Sequence, residues 1–333
     1  MVTACTSWKS NCDRVQIWNC RVMARYILIT SARGLLTLFA VSILVFSLAR
    51  LTGDPMDVLA PVDISREDEA ALREKWGIDK PVPQQYLSFV ANASHGDFGP
   101  SFKYPTESAG SVIADRLPAS IKLGLVATIL TLTIGVPLGI LSAVKRGSLV
   151  DRVAKGFALF GQSVPEFWLA IILIWFVAVR WNVVPTSGIN GWRSYILPSI
   201  VISIFGIAAL LRLFRSAMLE TLSSEYVKLA RLKGLSEFKV VWKHALKPAS
   251  IAPLTFFGGI AVRMLTGATV VEIVFAWPGV GLLAYEAANA RDFPVVQALA
   301  LFTAAVIVVM NLAIDISYAY IDPRVRLGQK AVV

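Results

Sequence analysis

Leu123 to Val144 reads LGLVATILTLTIGVPLGILSAV, 22 residues without a charge. A helix rises 1.5 Å per residue and the hydrocarbon core of a bilayer is about 30 Å thick, so about 20 apolar residues suffice to cross it. Six stretches meet that test, at roughly 27–50, 119–144, 153–179, 195–215, 251–276 and 295–320. Each contains small residues or proline, among them Gly135, Pro137, Gly139, Pro165, Pro198, Gly206, Gly258 and Gly259. Small residues let helices approach closely where lipid supplies no hydrophobic drive for association. The expected fold class is all-α, a polytopic membrane protein built as a packed bundle of six transmembrane helices.

Composition points the same way. Of 333 residues, 56% are hydrophobic and 16% charged, whereas a soluble domain carries about 25% charged residues. A soluble fold is a poor reading, and so is disorder, which needs low hydrophobicity and high charge. The net charge of +10 is explained by where the charges fall. Lys9, Arg14, Arg21, Arg25 and Arg33 precede or open the first span, and Lys145, Arg146, Arg152 and Lys155 lie between spans two and three. Eight more, from Arg212 to Lys247, lie between spans four and five, and Arg324, Arg326 and Lys330 follow span six. These segments hold 20 of the 32 Lys and Arg residues, so the positive-inside rule makes both termini and these two connections cytoplasmic. The positive charge therefore reports orientation in a lipid bilayer, and no nucleic-acid partner is expected.

Residues 1–22 carry Cys5, Cys12 and Cys20 and lack the apolar core of a signal peptide, so they read as an unstructured extension or as residues upstream of a true start at Met23. The cysteine gaps match no zinc pattern, and no metal or cofactor is expected. Residues 23–50 then form a retained first transmembrane helix. The extracytoplasmic segment 51–118 holds 11 acidic residues and seven prolines, so it cannot lie in lipid. Within it, Asp63 to Gly77 reads as a helix with Ser65 as N-cap, acids in its first turn and Gly77 at its end, and a second helix is expected over Gln84 to Ala93.

Between spans four and five lies Glu220 to Pro248, ETLSSEYVKLARLKGLSEFKVVWKHALKP. Glu225 to Lys233 reads as a helix stopped by Gly234; Ser236 caps a second helix with Glu237 in its first turn, which Pro248 breaks. The first helix is expected to display Tyr226, Leu229, Ala230 and Leu232 to Leu235. A groove-bearing partner or anionic lipid could hold such a helix, and physics alone leaves both open.

This segment, Glu225 to Glu237 followed by His244-Ala-Leu-Lys-Pro248, resembles the EAA loop of ABC importer permeases, in the branch serving dipeptides, oligopeptides and nickel. Gly53-Asp-Pro55, Arg116-Leu-Pro118, Val164-Pro-Glu-Phe-Trp168, Phe275-Ala-Trp-Pro-Gly-Val-Gly281, Arg291-Asp-Phe-Pro294 and Asp322-Pro-Arg-Val-Arg326 extend the resemblance over about residues 23–328. Where the wider family writes Glu-Ala-Ala, this chain has Lys228-Leu229-Ala230. The resemblance implies a type I ABC importer permease fold, with an ABC transmembrane type-1 domain over 119–320, a coupling loop at 220–248 and a cytoplasmic tail at 321–333. It implies a bacterial inner-membrane protein whose partners are a second homologous permease, two cytoplasmic ATP-binding subunits and an extracytoplasmic substrate-binding protein. Its ATPase-coupling residues would be Glu225, Tyr226, Leu229, Ala230, Lys233, Gly234, Ser236 and Glu237. Its substrates would be di- or oligopeptides, with nickel or another small solute as the alternative; a passive channel or scaffold is the reading from another class.

The expected spans hold the charged residues Lys122, Glu166, Arg263 and Asp315. Glu166 and Arg263 should face protein or water, since a central charge costs about 2.5–3.5 kcal/mol on insertion scales. Arg263 either lines the translocation route or makes a fixed contact with Glu166, a carbonyl or the partner permease; the fixed contact is favoured because intramembrane charges usually find partners. Trp277, Pro278, Gly279 and Gly281 form either a re-entrant element near an outer gate or a turn with an interfacial tryptophan. The chain has no phosphate-binding loop, and its two histidines, His95 and His244, fall on opposite sides of the membrane. No enzymatic activity is expected, and ATP hydrolysis is assigned to the separate subunits.

Overall fold

The computed structural model describes residues 28–321 except 52, 54, 55, 57–64, 76 and 267, with backbone alone at 75, 265 and 315–321. The three cysteines and the tail from residue 322 lie outside the described residues.

Helix α1, Leu28–Leu51, is apolar on nearly every face and exposes Leu28, Leu35, Leu36 and Phe39. It approaches the last helix where Gly34 meets Val308. Helices α2, Arg66–Lys75, and α3, Val82–Ser94, follow. Ser65 caps α2 as expected, its Oγ accepting from Asp68 N at 3.1 Å, and Gly77 has φ +63. Helix α3 packs on the end of α1 through Phe46, Tyr86 and Phe89, with a 2.9 Å hydrogen bond between Ser42 and Tyr86.

Helix α4 runs Ala109–Val144, ten residues longer at its start than the expected span, because Ser108 caps it there by accepting from Ser111 N. At 36 residues it is about 54 Å long. Its principal neighbour is α7, Trp192–Leu222, and glycine sets their separation. A Cβ on Gly139 would sit 2.7 Å from Phe214 Cβ and 2.9 Å from the Leu211 carbonyl, and one on Gly135 would be 3.1 Å from Leu210 Cβ. The backbones thus approach by the small-residue mechanism that serves helices in lipid.

The third expected span is not one straight helix. Helices α5, Leu149–Ser163, and α6, Glu166–Arg180, are bent by 106° at Val164 and Pro165. Proline lacks the N–H for a helical bond and pushes the preceding residue to extended dihedrals, and Val164 adopts φ −85, ψ 126. Helix α5 buries Asp151, Ala154, Ala158 and Gly161 along one stripe against α7. Helix α6 ends in a wide π-turn segment, Ile174–Arg180.

Past α8, Glu225–Leu232, residues 237–249 form α9, whose middle, Val240–Ala245, is again π-helical. Pro248 does not break α9 where expected. The carbonyl its ring would crowd is that of His244, inside the wide turn, and the helix ends at Ala249. Helices α10, Ile251–Leu265, α11, Thr269–Val274, α12, Val280–Asn289, and α13, Phe293–Ile321, complete the chain. Among the described residues there are five helices long and apolar enough to span, or six spans when the bent pair is taken as one.

Substituting Gly139→Val should lower stability by about 1–3 kcal/mol, the usual cost of overpacking. Gly156→Ala, where the added methyl meets nothing within 4 Å, should be neutral or stabilising. Thermal unfolding in detergent compares the two, and equal losses would contradict the close approach of α4 and α7.

Candidate functional site

The expected helix, turn, helix is present, and its corner is closed by backbone geometry. Gly234 N donates to the Arg231 carbonyl at 2.9 Å and Leu235 N to the Ala230 carbonyl at 3.4 Å, the paired bonds of a Schellman cap. Gly234 has φ +76 with open space around it, so it is required for its backbone conformation and not for lack of room. Arg231 spans the corner with a two-pronged contact to Glu237, Nε to Oε1 at 2.8 Å and Nη2 to Oε2 at 3.3 Å. Exposed on both sides, that pair is worth about 0–1 kcal/mol and serves mainly to fix the angle. Glu225 pairs with Lys228 at 2.7 Å, Lys233 forms the C-cap, and Ser236 opens α9 without a side-chain capping bond.

The structure divides the apolar residues of α8 between two faces. Val227 and Ala230 are buried with Val240, Val241 and Ala245 of α9 against Ile140 and Ala143 of α4 and Phe214 and Met218 of α7. Tyr226, Leu229 and Leu232 point outward. Ala230, expected on the displayed face, is therefore an anchor. On α9, Phe238 and Trp242 are exposed, with ring centroids 5.9 Å apart, and with Leu141 and Val144 they line an apolar recess of about 360 Å³.

Glu166 and Arg263 come together, Nη2 to Oε1 at 2.9 Å, and the guanidinium lies 5.3 Å from the centre of the Phe205 ring. The favoured expectation of a fixed contact matches this geometry. The pair borders a small cavity of about 130 Å³ with Thr269 and Val270.

The segment around Trp277 differs from the tryptophan-anchor reading. Trp277 is fully buried, its Nε1 donates to the Ala119 carbonyl at 3.1 Å, and its ring meets Tyr195 edge to face. Below it Glu272, 1% exposed, accepts from Ser120 Oγ at 2.7 Å, Gly281 N at 2.7 Å and Leu282 N at 3.2 Å. Ser120 Oγ in turn accepts from Val280 N at 2.8 Å. One carboxylate and one hydroxyl thus satisfy the first N–H groups of α12 and favourably meet its positive end. A Cβ on Gly279 would overlap the Glu272 carboxylate and Ser120 Oγ, and one on Gly281 would lie 2.6 Å from Thr269 Cα, so both glycines are required by space. Ser120 and Ile140 are 20 residues apart on α4, placing this turn and the elbow about 30 Å apart along the helix.

Residues 135–327 match the family described as binding-protein-dependent transport system inner membrane component. Over 323 residues the chain is 35% identical to the dipeptide transport system permease protein DppB of Escherichia coli (strain K12), covering 87% of this chain and 95% of that protein. The chain belongs to this family. It is also 36% identical over 315 residues to the oligopeptide transport system permease protein AppB of Bacillus subtilis (strain 168), covering 91% of this chain and all of that one. A chain of the MetNI methionine ABC transporter, solved in inward-facing conformations, superposes with TM-score 0.51 over 63% of this chain and 96% of its own. At 16% identity that likeness concerns the fold alone, which is that of a type I ABC importer permease.

Sequence reasoning singled out the glycines of this family member's Trp277 turn and missed Glu272, which they face. The available signal was an acid in an apolar run, followed seven and nine residues later by glycines of a tight turn with unsatisfied N–H groups. Replacing Glu272→Ala should cost about 3 kcal/mol, since it leaves several buried donors unmade, and Ser120→Ala about 1 kcal/mol. Thermal unfolding of the single and double variants should give a combined loss smaller than the two added together. Strict additivity would mean that the two groups do not share a network.

Proposed function

We propose that this chain is the transmembrane permease subunit of an ATP-driven, binding-protein-dependent importer of di- or oligopeptides and forms half of its translocation pathway. The observation that carries the reading is the divided elbow, with Val227 and Ala230 anchored in the bundle and Tyr226, Leu229 and Leu232 displayed. A helix held on one side and apolar on the other suits a groove in a partner protein. The substrate class rests on the named activities of the relatives, dipeptide for one and oligopeptide for the other.

In this reading the partners are two cytoplasmic ATP-binding subunits at the elbow, a second homologous permease across the bundle and an extracytoplasmic substrate-binding protein at the opposite end. Both termini and the elbow face the cytoplasm of a bacterial cell, residues 51–118 form the outer unit, and 119–320 form the transporting domain. Closure of the ATPases on ATP would press on α8; its buried face would carry the displacement to α4 and α7, and rigid-body rotation would alternate access to a central route. The Glu166–Arg263 pair and the Trp277 turn, with Pro278, Gly279 and Gly281, are the proposed route and gate elements.

Leu229→Asp places a charge on the displayed face without touching the core, and Gly234→Arg strains a left-handed residue by about 1–2 kcal/mol. Each should reduce co-purification of the ATP-binding subunits at least severalfold while the protein stays in the membrane. Retention of those subunits together with full uptake would refute the docking role. In a variant whose three cysteines are serine, Leu232→Cys should react with an impermeant thiol reagent in inverted vesicles and not in intact cells. The reverse pattern would invert the topology.

A further inference from the structure

Toward the end of α4 away from the elbow, α4 and α7 leave between them an open and almost wholly apolar groove of about 670 Å³. The two helices run parallel, since Gly135 meets Leu210 and Gly139, four residues on, meets Phe214. Leu125 and Leu130 form one wall and Ile196 and Ile200 the other, with Lys122 and Trp192 at the same end of both. Lys122 directly precedes the charge-free stretch Leu123 to Val144, whose 22 residues rise about 33 Å, so it sits where the hydrocarbon layer ends. Trp192 is exposed and suits the same interface. The groove therefore runs from headgroup level into the acyl layer.

Charge and direction narrow what can fill it. Lys122 lines the groove, and among the described residues its ammonium has no hydrogen bond or ion pair. An ammonium at a bilayer surface is complemented by a lipid phosphate, and Arg193, held 5.8 Å from the centre of the Trp192 ring, adds positive charge at that end. The groove also opens away from the Glu166–Arg263 pair. Ile196 and Phe205 are nine residues apart, about two and a half helical turns, so they project from opposite sides of α7. Phe205 is the ring that the Arg263 guanidinium approaches, which leaves the groove on the side turned from the proposed route.

We propose that this groove holds an anionic phospholipid, its phosphate at Lys122 and one acyl chain between the walls of α4 and α7. Tyr195 also lines the groove, and its ring meets that of Trp277 edge to face with centroids 4.6 Å apart, so the bound chain would bear on the tyrosine that backs the Trp277 turn. The site requires neither a peptide substrate nor the importer reading.

The test is photo-crosslinking from Leu125→p-benzoylphenylalanine, an exposed position on the groove wall, in the full chain purified with its accompanying subunits and placed in nanodiscs of equal phosphatidylglycerol and phosphatidylcholine. Mass spectrometry of the crosslinked chain should show phosphatidylglycerol captured in about fivefold or greater excess over phosphatidylcholine, the selectivity that one lysine gives at a membrane surface. Adding Lys122→Gln should abolish that preference. Adding Ile200→Trp, which fills the groove from an exposed position, should reduce capture of both lipids severalfold. Equal capture of the two lipids by the otherwise wild-type chain is the result of annular lipid only and overturns the site. An unchanged ratio in the Lys122→Gln chain, or capture of a protein subunit in place of lipid, overturns it as well.

Discussion

At Gly135 and Gly139 the backbone of α4 lies against α7 with no room for a side chain between them, and both ends of the molecule are mounted on that contact. Within about one turn after Gly139, Ile140 and Ala143 form with Phe214 and Met218 the floor on which α8 and α9 rest. Toward the other end, Ser120 of α4 holds Glu272, and Leu123 and Ala127 share a core with Val201 of α7 and with Trp277. Lipid tails are as apolar as leucine, so the hydrophobic effect alone does not join these helices; close packing and satisfied polar groups must. Gly206 extends the principle to a third helix, since a methyl there would sit 2.8 Å from both Thr131 and Met264 of α10.

The same absence of water governs the acids near or within the apolar layers. Asp151, 1% exposed, accepts from Ser142 Oγ at 2.7 Å and Gly147 N at 3.0 Å and receives Arg215 through Nε at 2.7 Å and Nη2 at 3.1 Å. Glu166 has Arg263, and Glu272 has a hydroxyl and two backbone N–H groups. Asp292, also 1% exposed, takes the hydroxyl of Ser101 and the N–H groups of Phe102 and Lys103, which ties the loop after α3 to the start of α13. Each acid joins segments distant in sequence, so each fixes relative placement even where its net contribution to stability is small.

What could be read in advance follows from the range of the interactions involved. Spans, caps and the elbow depend on residues within a few positions of one another: Ser65, Gly77 and Gly234 act where composition and spacing place them. Pro165 was visible, yet proline is tolerated within membrane helices when neighbours satisfy the freed carbonyls, so its presence alone did not distinguish a kink from a 106° bend. Glu272 lies next to Ser120 across 152 positions, and no local pattern announces that pairing. The two readings of Trp277 stay open in the sequence for the same reason: its burial is decided by Ala119 and Tyr195, which sequence proximity does not connect to it.

Stiffness is unevenly distributed, and that has mechanical consequences. Helices α4 and α7 are long, continuous and in glycine-mediated contact, so a force at one end reaches the other with little loss to bending. The two wide-turn segments, Ile174–Arg180 and Val240–Ala245, lie instead on the bent α6 and on α9 directly beneath the elbow. A π-turn replaces the usual helical hydrogen-bond ladder with wider spacing and commonly marks a functional site. The wide turns are thus placed beside a stiff column of two packed helices. A displacement of α8, held through Val227 and Ala230, would therefore be taken up first as rotation of the α4–α7 pair against α6 and not as deformation within that pair, because packed interfaces switch between discrete arrangements more readily than cores deform.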